Sequence, residues 1–161
     1  MKEICTDLYY EDVQPGDTLT TATRTVTESD VMQFAGLTGD YFEIHTSATY
    51  AAQSLFGERV AHGLLLLSVA NGLYTRLGYF YKTGLALLGL DDWRFSTPVK
   101  LGDTIRLRMT LAEKRLTSKP GRGIFRWRYE LLNQSDQVCA QGDVTRLIAC
   151  RSSESRPEEL P

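Results

Sequence analysis

The stretch "VAHGLLLLSVANGLYTRLGYF", residues 60–80, decides how the rest of the chain is read. Its apolar centre, "GLLLLSVANGLYT", runs 13 residues without a charge, short of the roughly 18 needed to cross a bilayer. Leu64, Leu65, Leu66, Leu67, Val69, Ala70, Leu73 and Leu77 place apolar side chains on nearly every face of a helix. That pattern predicts a long central helix wrapped by other elements of one soluble protein.

Beyond Gly84 the hydrophobic period shortens from helix to strand. "LALLGLDDWRF" is followed by "DTIRLRMTLAEKRL", where Ile105, Leu107, Met109 and Leu111 alternate with Arg106, Arg108 and Thr110. In "IFRWRYELL", Phe125, Trp127, Tyr129 and Leu131 take one face and Arg126, Arg128 and Glu130 the other. Alternation of this kind predicts half-buried antiparallel strands. The turns "SKPGRG" and "NQSDQ" join them as a meander, with a last strand over Val138–Ile148.

Upstream, a Pro-Gly-Asp turn leads into a Thr-rich run that predicts a strand over residues 18–26. Thr27 and Asp30 form a capping-box pattern, Val31, Phe34 and Ala35 share a helical face, and Gly39 ends that helix. A second short helix is predicted over Ala48–Phe56, with Ser47 as its N-cap and Gly57 as its stop. Helices beside an antiparallel meander make the class α+β.

With 161 residues, 42% of them hydrophobic and 24% charged, the composition fits one globular domain. Residues 1–150 are assigned to it, and the polar tail "RSSESRPEELP", 151–161, is expected to be disordered. A net charge of −2 gives no bulk attraction for nucleic acid or an anionic membrane. Cys5, Cys139 and Cys150 show no C-x-x-C spacing, so no metal site is expected from them and a reducing cytoplasm is the expected location. The N-terminus "MKEICTDLYYEDV" lacks the apolar core of a secretory signal. Lys114, Arg115, Lys119, Arg122, Arg126 and Arg128 form a basic tract, read first as a solvated strand face and second as a patch that steers an anionic ligand.

"GDYFEIHTSATY", residues 39–50, carries the chemistry-bearing pair Asp40 and His45. Five residues along a helix or a strand put two side chains on different faces, so only an irregular loop brings these together. Geometry alone leaves two readings open: a proton-transfer couple, or a polar loop whose Asp bonds nearby amides.

The segment "FAGLTGDYFEIHTSATYAAQSLFGERVAHGLLLLSVANGL" resembles the signature of MaoC-like dehydratases and R-specific enoyl-CoA hydratases, with Gly39, Asp40, Ile44, His45, His62 and Gly63 matching in order. "YYEDVQPGDTLT" and "WRFSTPVKLGDTIRLRMTL" extend the likeness over most of the chain. The resemblance implies a hotdog fold, a long helix wrapped by a curved antiparallel sheet. It also implies reversible syn addition of water to a 2-enoyl thioester, without cofactor or metal, on an acyl-CoA or acyl-carrier-protein substrate.

Asp40 and His45 match the pair that holds the catalytic water, and Gly63 the residue whose N–H binds the thioester oxygen. His62 is expected near the site or bonding backbone at the helix start. Asn71 sits at a position where the family often has a small supporting hydroxyl residue. Where the family usually has Asn-Pro, this chain has Phe42-Glu43, with Glu43 expected to face solvent. A homodimer is implied, with an acyl pocket near the boundary between the copies. A non-catalytic acyl-binding subunit is the alternative, and a thioesterase a more distant one.

Overall fold

The computed structural model describes residues 7–151. Cys5 and all of the 151–161 tail except Arg151 lie outside the described residues. A 3-10 turn at Tyr10–Asp12 precedes β1 (Thr18–Thr20) and β2 (Arg24–Thr25). Three helices follow, α1 (Glu28–Thr38), α2 (Glu43–Thr46) and α3 (Ala48–Ala52), and then the long α4 (Gly63–Arg76). The chain closes with β3 (Gly84–Phe95), β4 (Thr104–Leu116), β5 (Arg122–Leu132) and β6 (Val138–Ala149). The strands form an antiparallel sheet in the order β1-β4-β5-β6-β3, with β2 also on β4.

Period-two alternation places the core as expected. Ile105, Leu107, Met109 and Leu111 of β4 and Phe125, Trp127, Tyr129 and Leu131 of β5 are buried against Leu65, Leu66, Val69, Ala70 and Leu73 of α4. The basic tract lies largely on the other face. Arg126 and Arg128 pair with Asp143, and the Lys114 ammonium donates to the carbonyls of Tyr10 and Val13. The α1 boundaries also follow the sequence: Thr27 and Asp30 make the capping box, and Gly39 ends the helix at φ 79°, a left-handed conformation that favours glycine.

Two expectations are corrected. The strand over 18–26 is two pieces, because Leu107 N–H donates to the Thr21 hydroxyl at 3.0 Å and this side chain breaks the backbone ladder. The helix over 48–56 stops at Ala52, where the Ser54 hydroxyl donates to the Ala51 carbonyl and accepts from Phe56 N–H, folding a turn instead. The antiparallel sheet packs along α4, as expected. One sheet face covers one side of a helix, so Leu64, Ser68, Asn71, Thr75 and Arg76 remain exposed. The edge strand β3 leaves Leu85, Leu87, Leu88 and Leu90 about half exposed beside them.

Candidate active site

The irregular segment between α1 and α2 begins at the left-handed Gly39, and Asp40 follows at once. Its carboxylate accepts from Phe42 N–H at 3.3 Å, a local turn that aims the chain into α2. Glu43 opens α2 and is exposed, as expected. It occupies the first helical position, where a proline would be tolerated and where an acid suits the helix dipole. The turn therefore survives replacement of the usual Asn-Pro. The Phe42 ring packs edge-on to His45, its centroid 6.4 Å away.

His45 sits inside the single turn of α2, so the stretch between α1 and α3 is less irregular than the spacing argument supposed. The ring is buried, and its Nδ1 lies 2.7 Å from the Val60 carbonyl. A carbonyl only accepts, so Nδ1 carries the hydrogen and Nε2 presents a lone pair. Arg59 fixes the backbone of this turn, donating from Nε to the His45 carbonyl at 2.7 Å while its guanidinium forks onto Glu28. His62 is the N-cap of α4, and its Nε2 donates to the Asp40 carbonyl at 2.9 Å. This bond ties the Asp40 segment to the start of α4.

The two imidazoles stack, with centroids 3.8 Å apart and planes inclined by 28°. One polar atom from each of Asp40, His45 and His62 lies within 4.8 Å of the others. The pair singled out in the sequence is therefore brought together, and a second imidazole joins it. The His62 Nδ1 atom is buried with no hydrogen-bond partner. Burial is the main cause that holds His45 below its ordinary pKa of 6.5, and the neighbouring His62 adds to it. The Val60 carbonyl and Asp40 pull the other way. At neutral pH His45 is thus an uncharged imidazole whose Nε2 can take a proton.

Gly63 is the first residue of α4, so its N–H has no acceptor within the helix. A Cβ there would stand 3.1–3.3 Å from the Phe95 ring, so a side chain at this position requires the ring to shift by a few tenths of an ångström. An apolar cavity of about 300 Å³, lined by Ile44, His45, Val60, Gly63, Leu66 and Phe95, lies in front of both the imidazole and the free amide. Such a cavity fits an uncharged acyl group, with a carbonyl at the helix start and a water between carboxylate and imidazole. Asn71 is not part of this cluster. It lies eight residues further along α4, about 12 Å at the helical rise, and lines a different cavity.

Sequence reasoning missed the Val60 carbonyl, Arg59 and the Phe95 ring. A backbone acceptor leaves no signal in a sequence, and Arg59 reads as any surface cation.

An antiparallel sheet laid along one long helix, with a carboxylate and two imidazoles at the helix start, defines a hotdog domain. The structure resembles a Mycobacterium tuberculosis protein described as having a double hotdog fold, with TM-score 0.81 over 94% of this chain and 47% of that one. At 20% identity this likeness shows the fold alone. The MaoC like domain family model matches residues 12–126, and the chain belongs to that family.

Among its relatives, Protein MaoC of Klebsiella aerogenes is 47% identical over 106 residues, 66% of this chain but 31% of that protein. The (R)-specific enoyl-CoA hydratase of Rhodospirillum rubrum is 32% identical over 103 residues, 64% of this chain and 69% of the hydratase. A solved structure from Archaeoglobus fulgidus, described as a monoamine oxidase regulatory protein, has TM-score 0.83 at 33% identity. That match covers 89% of this chain and 95% of the archaeal one.

Proposed function

We propose that this protein catalyses reversible syn hydration of a 2-enoyl thioester, giving an (R)-3-hydroxyacyl thioester. The observation that carries the reading is that neutral His45 and Gly63, whose N–H has no acceptor within the helix, line one apolar cavity, with an Asp40 carboxylate oxygen within 4.8 Å of a His45 ring nitrogen. In the hydration direction, Asp40 accepts one hydrogen of a bound water and His45 Nε2 takes the other as oxygen bonds to C3. Electron density moves onto the thioester oxygen, which the Gly63 N–H stabilises. The imidazolium then returns its proton to C2. One wall of the cavity supplies both events, so both new bonds form on one face. No redox change or group carrier is required, so the reading includes no cofactor.

We further propose a homodimer in which a second copy covers Leu64 of α4 and Leu85 and Leu88 of β3. Pairing two β3 edges satisfies unpaired strand amides and removes this apolar surface from water. Equilibrium sedimentation reads this directly, and a monomer at micromolar concentration would remove it. The thioester carrier, coenzyme A or an acyl carrier protein, belongs to the same proposal, as does a cytoplasmic location. Among the described residues no helix is long and apolar enough to cross a membrane.

The deciding assay follows loss of enoyl absorbance with a panel of 2-enoyl-CoA thioesters while a thiol reagent monitors free coenzyme A. Hydration bleaches the absorbance without releasing thiol. Thiol release would make the protein a thioesterase, and neither signal with any substrate would leave a binding subunit.

A further inference from the structure

Arg146 is the only buried Asp, Glu, Lys or Arg among the described residues. Strand periodicity puts it on the core face of β6 between the buried Val144 and Ile148. Its guanidinium stacks on Tyr74, with Cζ 3.8 Å from the ring centre. Nε donates to the Tyr129 hydroxyl at 3.3 Å and Nη2 to Asn71 Oδ1 at 2.6 Å. No carboxylate pairs with it among the described residues. Burial raises both phenols, Tyr129 to about 12, so neither supplies a counter-charge. A buried cation without an anion is costly, and such a site calls for a partner.

The guanidinium stands between two cavities, of about 280 Å³ and about 250 Å³. The larger is lined by Leu67, Ser68 and Asn71 of α4 and by Leu87 and Leu90 of β3. Gly63, Leu67 and Asn71 are spaced by four residues and so form one stripe along α4. Phe95 of β3 lies against Gly63, and Leu90 and Leu87 of the same strand line the larger cavity together with Leu67 and Asn71. The stripe leads from the thioester position to Arg146.

A guanidinium only donates, so Asn71 must turn its oxygen toward Arg146, which leaves its NH2 for the cavity. Ser68 spends its hydroxyl hydrogen on the Leu64 carbonyl at 2.9 Å and keeps only acceptor capacity. The donors at the cavity are the guanidinium and the Asn71 amide, set among leucine side chains.

We infer that the groove between α4 and β3 takes an acyl thioester whose far end carries an accepting oxygen, a carboxylate by preference, held by Arg146 and the Asn71 amide. The inference rests on the hydratase reading for the position of the thioester. From Gly63 to Asn71 the helix advances about 12 Å, the span of roughly nine carbon–carbon bonds, so the substrate class is a medium-length chain oxidised at its distal end.

The test compares two 2-enoyl-CoA substrates of equal length, one ending in methyl and one in carboxylate, by the ratio of their kcat/KM values. The intact protein is expected to favour the carboxylate by at least ~10-fold, the scale of one charge-assisted contact. Arg146→Met is expected to bring the ratio to about 1. Asn71→Leu, which leaves the arginine in place, lowers it in the same direction and guards against a misfolded Arg146 variant. A wild-type ratio of 1 or below overturns the inference. So does a ratio that persists in both variants, the result if a second copy's acid, not a substrate, meets Arg146. Calorimetry with the saturated, unreactive pair of acyl-CoAs reads the same preference without turnover. Absence of hydration with a retained binding preference would therefore remove the hydratase reading while keeping this one.

Discussion

The two ends of α4 face the same strand, β3, with opposite chemistry. At the N-terminal end, His45 stacks on His62 beside the Gly63 amide, and burial keeps the His45 imidazole neutral. Further along, Asn71 and Tyr74 receive a guanidinium that can never be neutral. Burial acts on both. A group with a pKa near neutrality responds by giving up its charge, whereas arginine must find a partner or a stacked ring. In the proposed reading, the difference separates a place where protons move from a place where an anion is held.

The largest expected effect tests the first end. Asp40→Asn and His45→Ala should each lower turnover by at least ~100-fold, the usual weight of a positioned proton-transfer group. Stopped-flow or steady-state absorbance measures it, with circular dichroism to show that the fold persists. Rates within a few-fold of wild type would return Asp40 and His45 to the status of an ordinary polar turn.

Gly63→Ala comes next, with an expected loss of roughly 10- to 100-fold in kcat. The added methyl would meet the Phe95 ring at 3.1–3.3 Å. In a Phe95→Leu background part of the loss should return, and a double-mutant cycle gives the coupling. Full additivity would mean that the ring and the amide act independently.

His62→Ala should cost about 10-fold in kcat with little change in KM, since His62 positions the Asp40 segment through a single 2.9 Å bond. It should also move the acid limb of kcat/KM upward, because His62 helps to hold the His45 pKa down. A purely structural role would lower Tm and leave the limb where it was.

The smallest effects concern pH and chelation. His45 is depressed in the fold and has an ordinary value of 6.5 once unfolded. Between those two values the unfolded chain binds the extra proton, so this contribution to stability is complete above pH 6.5 and declines as pH falls toward the folded value. Tm measured from pH 7.5 to pH 5 should fall less in His45→Ala than in the wild type. Asp40, His45 and His62 also form a donor set of the kind that binds zinc. Treatment with a chelator is expected to leave turnover unchanged, and a loss restored by zinc would put a metal in place of the proposed water.

Much of the fold was legible in advance. The alternation in "IFRWRYELL" and "DTIRLRMTL" fixes which face is buried, since a one-residue slip would expose Trp127 and Tyr129. Thr27, Asp30 and Gly39 mark the ends of α1 through local capping that needs nothing from elsewhere in the chain. The same period of two, applied to Val144, Arg146 and Ile148, would have put an arginine on the core face. Arg126 and Arg128 lie on the opposite face and are ion-paired.

Composition and periodicity determined an α+β chain with one very apolar helix, and the resemblance supplied the roles of Asp40, His45 and Gly63. Only tertiary structure decided that a second imidazole stacks on the first, that the Val60 carbonyl selects its tautomer, and that α4 keeps one side exposed. Caps and alternation act between residues close in sequence. Stacking, backbone acceptors and the side of a helix left bare depend on which distant segments the sheet brings into contact.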